Sequence, residues 1–120
     1  MQKDFTISDQ GGFLLTEFIG EFSVEAGKKC IDAMARASLE SHRPKVLLDC
    51  RKMTGNMPIM ARFHVAVYAA TTREVISKIA LVNRQDVILP DGFVENVAVN
   101  RGVNVKIFTD FDQAQHWLMK

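Results

Sequence analysis

The chain has 120 residues, of which 48% are hydrophobic and 24% charged, and its formal net charge at pH 7 is +1. This composition is typical of a globular protein, and the length predicts one domain, residues 1–120, that buries about two thirds of the surface its unfolded chain exposes. Lys and Arg are mixed with Asp and Glu along the whole chain, so we expect no nucleic-acid binding. No apolar run is long enough to predict a membrane span.

The start of the sequence, MQKDFTISDQGG, lacks the basic segment and apolar core of an export signal, so a cytoplasmic protein is expected. Cys30 and Cys50 have neither a metal-type spacing nor nearby pairs of histidines. In a reducing compartment they are predicted to be free thiols that pack as small buried hydrophobic side chains. The three scattered histidines predict no metal site, and without a Gly-rich phosphate loop we expect no cofactor.

The first elements are a hairpin, a helix and a buried strand. Two short β-like runs flank Gly11 and Gly12, which predicts a β-hairpin. Ser23 precedes a stretch in which apolar residues recur at helical spacing, at Gly27, Ile31, Met34, Ala35 and Leu39. After Arg43 and Pro44, the nearly all-apolar run KVLLDC indicates a strand covered on both faces.

The second helix is predicted from about Met57 to Ser77 and carries unusually much apolar surface. Thr54 or Asn56 is expected to cap it, with Pro58 near its first turn. One face is lined by Ile59, Phe63, Ala66 and Ala70, while Met60, Val67 and Tyr68 spread apolar surface around the cylinder. A simple surface helix carries one apolar stripe, so this helix must bury the rest against something else. A second copy of the chain, a protein partner, an apolar ligand and the neighbouring helix, which would make the surplus extra core, all remain open.

The remaining chain predicts two strands, KIALVN and VKIFTD, and a closing helix. Between the strands, Asp91 and Gly102 bound a possible helix with Phe93, Val94, Val97 and Ala98 inward, although VAVNRGVNVKIF also alternates like a hairpin. Asp110 followed by Gln113 is a capping-box pattern before an apolar helical stripe. The order β-β-α-β-α-β-α-β-α predicts an α/β fold with a mostly parallel central sheet and helices on its faces.

Three stretches, KVLLDCRKMTG, KIALVN and VNVKIFTDFDQAQHWL, and the order of elements resemble the STAS domains, and more closely the SpoIIAA-like family. The resemblance implies a small α/β regulatory or binding module without a cofactor that acts through contacts to partners or ligands. In anti-sigma-factor antagonists of this fold, the loop after the middle strand carries a serine that is phosphorylated. The corresponding loop here, CRKMTGNMP, has no serine, and Thr54 holds its only hydroxyl.

The loop after the KVLLDC strand is the predicted functional corner, because open α/β sheets bind ligands where parallel strands end. Asp49 ends that strand and either takes part in chemistry or accepts hydrogen bonds from the loop's own amides. Arg51 and Lys52 either hold an anion near the following helix or form a plain solvated pair. His64, on the second helix, is a candidate base or proton-sensitive contact, or a partly buried, hydrogen-bonded side chain.

Three functions remain open from the sequence. The first is a non-enzymatic interaction module, forming a homodimer or binding a protein partner through the face from Met53 to Tyr68. The second is a carrier for a small apolar or amphiphilic ligand beside the second helix, with Arg51 or Lys52 on its acidic head. The third, a cofactor-free enzyme using Asp49 or His64, lacks a nucleophile and an oxyanion device. The predicted partner- or ligand-binding residues are Asp49, Arg51, Lys52, Met53, Thr54, Met57, Met60, His64 and Tyr68.

Overall fold

The computed structural model describes residues 4–89 and 92–120 as a five-stranded sheet with helices on both faces. The strands are β1 Phe5–Asp9, β2 Leu14–Phe18, β3 Lys45–Asp49, β4 Lys78–Val82 and β5 Val105–Phe108. The helices are α1 Val24–Ser41, α2 Ile59–Tyr68, α3 Phe93–Val99 and α4 Phe111–Met119. The strand order is β1-β2-β3-β4-β5, with β1 antiparallel to β2 and all other pairs parallel. The predicted mostly parallel α/β architecture is therefore confirmed.

The two faces of the sheet are covered unequally. Successive crossovers from β2 to β5 each move one strand further in the same direction, and crossovers of one hand then leave α1, α2 and α3 on the same face. Of the described helices, α4, which follows the last strand, is the one that covers the opposite face. Side chains alternate along each strand, so Val46 contributes to the three-helix side while its neighbour Leu47 packs with α4.

The α1 helix begins where the sequence predicts, because the Ser23 hydroxyl oxygen accepts a hydrogen bond from the Ala26 amide at 3.0 Å. It ends at His42, which adopts a left-handed conformation with φ of 58°. The predicted inward position of Leu39 is wrong, since that side chain is 62% exposed. Ser38, one residue earlier, is buried in its place, which shows that the buried stripe is rotated slightly around the helix.

The α2 helix is shorter than predicted at both ends. Pro58, rather than Thr54 or Asn56, occupies its N-cap position and makes no side-chain capping hydrogen bond. At the other end, the hydroxyls of Thr71 and Thr72 donate to carbonyls three residues earlier, at 2.8 Å and 2.7 Å. These side chains accompany a 3₁₀ turn, Ala69–Thr72, that replaces the predicted last turns of the helix.

The ambiguous segment before β5 is helical, since α3 spans Phe93–Val99 and no hairpin forms there within the described residues. Val97 and Ala98 are buried as predicted, but Phe93 is 36% exposed and its predicted inward position is wrong. The predicted cap, Asp91, lies outside the described residues. Asp110 caps α4 as predicted, because its carboxylate accepts a hydrogen bond from the Asp112 amide. The full capping box is not formed, since Gln113 makes no return hydrogen bond to Asp110 in the described residues.

Among residues 4–89 and 92–120, none of the helices combines the length and hydropathy that crossing a bilayer requires.

Candidate functional site

The predicted corner at the end of β3 is built around an internal ion pair. Asp49 is 7% exposed, and its carboxylate accepts hydrogen bonds from Arg51 Nε at 2.9 Å and from Arg51 Nη2 at 2.8 Å. The Arg51 backbone amide donates to the same carboxylate at 3.1 Å. Because Arg51 meets both carboxylate oxygens, the pair has the bidentate geometry of strong charge-assisted hydrogen bonds. The guanidinium also lies over the Phe111 ring, at 5.6 Å.

The electrostatics of this pair argue against acid–base catalysis by Asp49. Burial by itself raises the pKa of the carboxyl, but the hydrogen bonds from the Arg51 side chain and backbone outweigh it and hold the pKa below its usual range. A carboxylate that stays ionised and is fully engaged by its own loop is a poor general base at neutral pH. Asp49 therefore holds the loop together, as the turn interpretation predicts.

The rest of the corner loop is fixed by its backbone and by a second arginine. Thr54 is exposed, and its backbone bonds to the chain after β2 through the Phe22 amide at 2.8 Å and the Gly20 carbonyl at 3.1 Å. Arg84, from the loop after β4, reaches the carbonyl oxygens of Arg51 at 3.3 Å and Met53 at 3.5 Å. The sequence predictions missed this role of Arg84. These contacts leave the loop little freedom to rearrange around a substrate.

Lys52 extends away from this network. Its side chain is 74% exposed, and its ammonium lies 3.9 Å from a Glu17 carboxylate oxygen, at the edge of ion-pair range. Such an exposed pair contributes little to stability. Lys52 is therefore solvated, as one of the two predictions has it. For Arg51 the same prediction is wrong, because its guanidinium is paired with Asp49.

A cavity of about 160 Å³ lies on the opposite side of the sheet, between α1, α2, α3 and the strands. Its wall is mostly apolar and is partly open to solvent. Met53 and Met57, both predicted as site residues, contribute to the wall beside Val65 and Ala69. A cavity of roughly 150 Å³ with such a lining accepts a molecule the size of benzene. The space is therefore large enough for a small apolar group.

The one cation in the described part of the cavity wall is Arg62 on α2. Its Nε donates to the Met57 carbonyl at 2.8 Å and its Nη1 donates to the Val87 carbonyl at 2.5 Å. Burial lowers its pKa, and within the described residues it forms no ion pair with a carboxylate. The sequence predictions missed Arg62, although a lone arginine on a helix almost free of polar side chains was a visible signal.

Both cysteines contribute to the same wall, and both are free and buried, as predicted. Burial raises the pKa of the Cys30 thiol to about 12 and raises that of the Cys50 thiol still further above its usual range. Thiols at neutral pH are then fully protonated and are poor nucleophiles. They serve as apolar lining. No cluster of His, Cys, Asp and Glu in the described ranges is arranged to hold a metal ion.

The outer surface of α2 carries the second group of predicted residues. Met60, His64 and Tyr68 follow one another at four-residue spacing and lie along one side of the helix. Met60 is 62% exposed and its neighbour Ile59 is 54% exposed. His64 is exposed as well, which makes the predicted partly buried histidine wrong; its ring packs against the edge of Phe63.

Tyr68 differs from Met60 and His64, which lie on the same side of α2, because it is hydrogen-bonded to α1. Its hydroxyl donates to an Asp32 carboxylate oxygen at 2.8 Å, and the Lys28 ammonium lies 5.3 Å from its ring centre. The hydrogen bond to Asp32 raises the pKa of the Tyr68 hydroxyl. The free apolar surface of α2 is therefore concentrated at its first turn, at Ile59 and Met60.

Two solved structures share this architecture over nearly their whole length. An uncharacterized protein of the DUF3478 family with a SpoIIAA-like fold, from Shewanella loihica, has a TM-score of 0.60 and 16% identity, covering 95% of this chain and 91% of its own. An anti-sigma factor antagonist from Mycobacterium paratuberculosis has a TM-score of 0.65 and 15% identity, covering 97% and 93%. The fold is SpoIIAA-like. No protein-family model matches the sequence, and neither does any curated protein.

The SpoIIAA-like sheet separates the predicted site residues into three places. Asp49 and Arg51 lie at the end of β3 beside Phe111 of α4, and Lys52 extends into solvent, whereas Met53 and Met57 line the cavity on the three-helix side. The outer stripe of α2 forms the third place. The sequence treated these residues as one corner because they are adjacent in the chain, but alternation along and beyond β3 distributes them over both faces.

Proposed function

We propose that this chain is a non-enzymatic regulatory module that binds a second copy of itself through the first turn of α2. The structural neighbour from M. paratuberculosis is described as an anti-sigma factor antagonist, and a fold shared with it supports a regulatory role. The chemistry of the corner supports the absence of catalysis, because Asp49 is held by Arg51 and the cysteines stay protonated.

The observation that carries the proposal is the exposed pair Ile59 and Met60. Among the exposed large apolar side chains of the described residues, these two are the only ones adjacent in the chain. Contact with an identical surface would bury both, and full burial of a side chain of this kind is worth roughly 1.5–3 kcal/mol. In a symmetric dimer each residue is used twice, so the pair supplies four such side chains to one interface.

Sedimentation equilibrium, from low to several hundred micromolar protein, tests the self-association. We expect a monomer–dimer equilibrium whose dissociation constant rises by about tenfold or more in Met60→Gln, because one buried side chain is lost from each subunit. Leu39→Gln is the matched control, since Leu39 is also 62% exposed but lies near the far end of α1. A wild-type protein that remains monomeric throughout, or equal effects of both substitutions, would reject the proposed interface.

The cavity favours a second candidate function, a carrier for a small apolar or amphiphilic molecule. Its volume of about 160 Å³ and mostly apolar wall are the supporting observation. Calorimetric titration with hexan-1-ol, a neutral probe of suitable size, tests it. We expect measurable binding that is abolished in Ala69→Leu, because Ala69 lines the cavity and is only partly buried, so the larger side chain has room to occupy the space. Failure of the wild type to bind either hexan-1-ol or an amphiphile of the same chain length would remove this candidate.

A further inference from the structure

We propose that the cavity binds a small monocarboxylate, with an apolar tail of about the size of benzene between the helices and its carboxylate on Arg62. This inference rests on the carrier function and specifies its ligand. It also names a different residue as the one that binds the acidic head of the ligand, since the sequence assigned that role to Arg51 or Lys52.

The position of Arg62 supports this assignment. It is partly exposed, and it donates to the Met57 carbonyl just before α2 and to the Val87 carbonyl in the segment after β4. Both of these residues also line the cavity. A guanidinium has five N–H donors, and Arg62 uses only two of them in these bonds. Its Nη2 donates to no acceptor in residues 4–89 and 92–120. Donors at the wall of an apolar cavity are therefore available to a bound anion.

The two rival cations are unsuitable. Arg51 is engaged by both oxygens of Asp49, and it lies with Phe111 of α4 on the other side of the sheet. Lys52 is 74% exposed and absent from the cavity wall. Neither side chain adjoins the apolar space that would hold the tail.

Arg62 favours a carboxylate in the cavity, and a nearby acid disfavours a more highly charged head group. Arg62 has lost part of its hydration and has no acidic partner among the described residues, so a carboxylate would compensate a charge that is costly to bury. A guanidinium fork also matches the two oxygens of a carboxylate. Glu95 adds a negative charge to the same wall. A dianion such as an alkyl phosphate would be poorly compensated, because Arg62 supplies one positive charge and Glu95 repels the ligand. We therefore expect hexyl phosphate to bind more weakly than hexanoate.

Calorimetry at neutral pH with hexanoate and hexan-1-ol, which share a chain length, measures the carboxylate contribution directly. We expect wild-type protein to bind hexanoate about tenfold more tightly than the alcohol, the value of one charge-assisted pair. In Arg62→Gln this preference should fall below about twofold while affinity for the alcohol is kept. Lys52→Gln removes a nearby cation that is outside the cavity and should retain the full preference.

A second measurement needs no variant and decides the matter if Arg62→Gln proves unstable. Carbon NMR of carboxyl-labelled hexanoate bound to wild-type protein should show a carboxyl pKa lower than that of free hexanoate, because a cation favours its ionised form. A raised pKa would overturn the proposal, since it would place the carboxyl in the apolar part of the cavity.

The outcomes separate this inference from the function on which it rests. If hexan-1-ol binds but hexanoate binds no tighter, the carboxylate assignment is wrong and the carrier function stands. If neither probe binds, the carrier function fails and the assignment fails with it. If Arg62→Gln and Lys52→Gln lose the preference equally, the effect is a general one of net charge and Arg62 is not the binding residue.

Discussion

Arg51 and Arg62 carry the same charge but differ in their partners. Arg51 donates to both oxygens of the buried Asp49 carboxylate, so its charge is compensated within its own loop. Within residues 4–89 and 92–120, Arg62 donates to the carbonyl oxygens of Met57 and Val87 and to no carboxylate, so no described acid compensates its charge. The partner of each side chain, and not its residue type, therefore separates a structural arginine from one that is available to a ligand.

Asp49→Asn should lower the free energy of unfolding by about 1–2 kcal/mol at neutral pH, because charge-assisted hydrogen bonds to Arg51 become neutral ones. This loss is small for a broken ion pair, because the Arg51 side chain is partly exposed and water can hydrate its guanidinium in the variant. Urea denaturation measures it. Glu17→Gln is the control, since the one ion pair of Glu17 among the described residues is the long, exposed contact with Lys52, and its loss should change stability by less than about 0.5 kcal/mol.

The stability difference between the wild type and Asp49→Asn should depend on pH. The pKa of Asp49 is lower in the folded protein than in the unfolded chain, so its contribution is present above the unfolded value, about 4, and is lost as the pH falls through the folded value. The stability difference between wild type and Asp49→Asn should therefore shrink in acid. A difference that stays constant from neutral pH to strong acid would show that the charge of Asp49 is not the cause.

At the scale of elements, α2 packs closely on α1 at a single glycine. A Cβ atom added to Gly27 would lie 2.9 Å from Val65 Cγ2, closer than side chains normally approach. Val65 is β-branched and has few alternative rotamers within a helix. Gly27 therefore sets the distance between the two helices that form one wall of the cavity.

Gly27→Ala should lower the free energy of unfolding by about 1 kcal/mol, because the overlap with Val65 exceeds the gain in helix propensity. In a Val65→Ala background the overlap is absent, and the same change should raise stability by about 1 kcal/mol. A double-mutant cycle in urea gives both values. Equal effects of Gly27→Ala in the two backgrounds would show that the contact between Gly27 and Val65 does not limit how closely α1 and α2 approach.

At the scale of the whole molecule, one sheet serves two apolar clusters. Val46 and Ile79 belong to the cluster beneath α1, α2 and α3, and their strand neighbours Leu47 and Ala80 belong to the cluster beneath α4. If either cluster unfolds, it exposes one face of the sheet, and the other cluster packs on the opposite face of the same strands. We therefore expect both faces to unfold in one cooperative transition.

The single tryptophan, Trp117, lies on α4 and reports on that face, whereas far-ultraviolet circular dichroism reports on all helices. Urea transitions followed by the two signals should coincide. Leu118→Ala should shift both transitions to lower urea and lower the free energy of unfolding by about 3 kcal/mol, since Leu118 is fully buried. Met119→Ala should shift them little, because the Met119 side chain is 44% exposed. Separate transitions would show that α4 unfolds independently of the rest.

The sequence by itself determined the element order and the α/β class, because strand and helix periodicities, turn glycines and caps such as Ser23 and Asp110 act locally. It also indicated that the second helix carries surplus apolar surface, and the structure leaves Ile59 and Met60 exposed. It misjudged two features of the helices. Local hydrogen bonds from the Thr71 and Thr72 hydroxyls accompany the early end of α2, whereas the exposure of Leu39 depends on which side of α1 the sheet covers.

Only the tertiary structure decided which residues share a site. Asp49 and Met53 are close in the chain, yet one meets Arg51 on the α4 side and the other lines the cavity. Arg62 became significant through the Val87 carbonyl, which is remote in sequence, and through the absence of an acidic partner in the described part of the chain. Local patterns report the periodicity of a segment, but partners and cavities arise from packing between segments, which no single segment encodes.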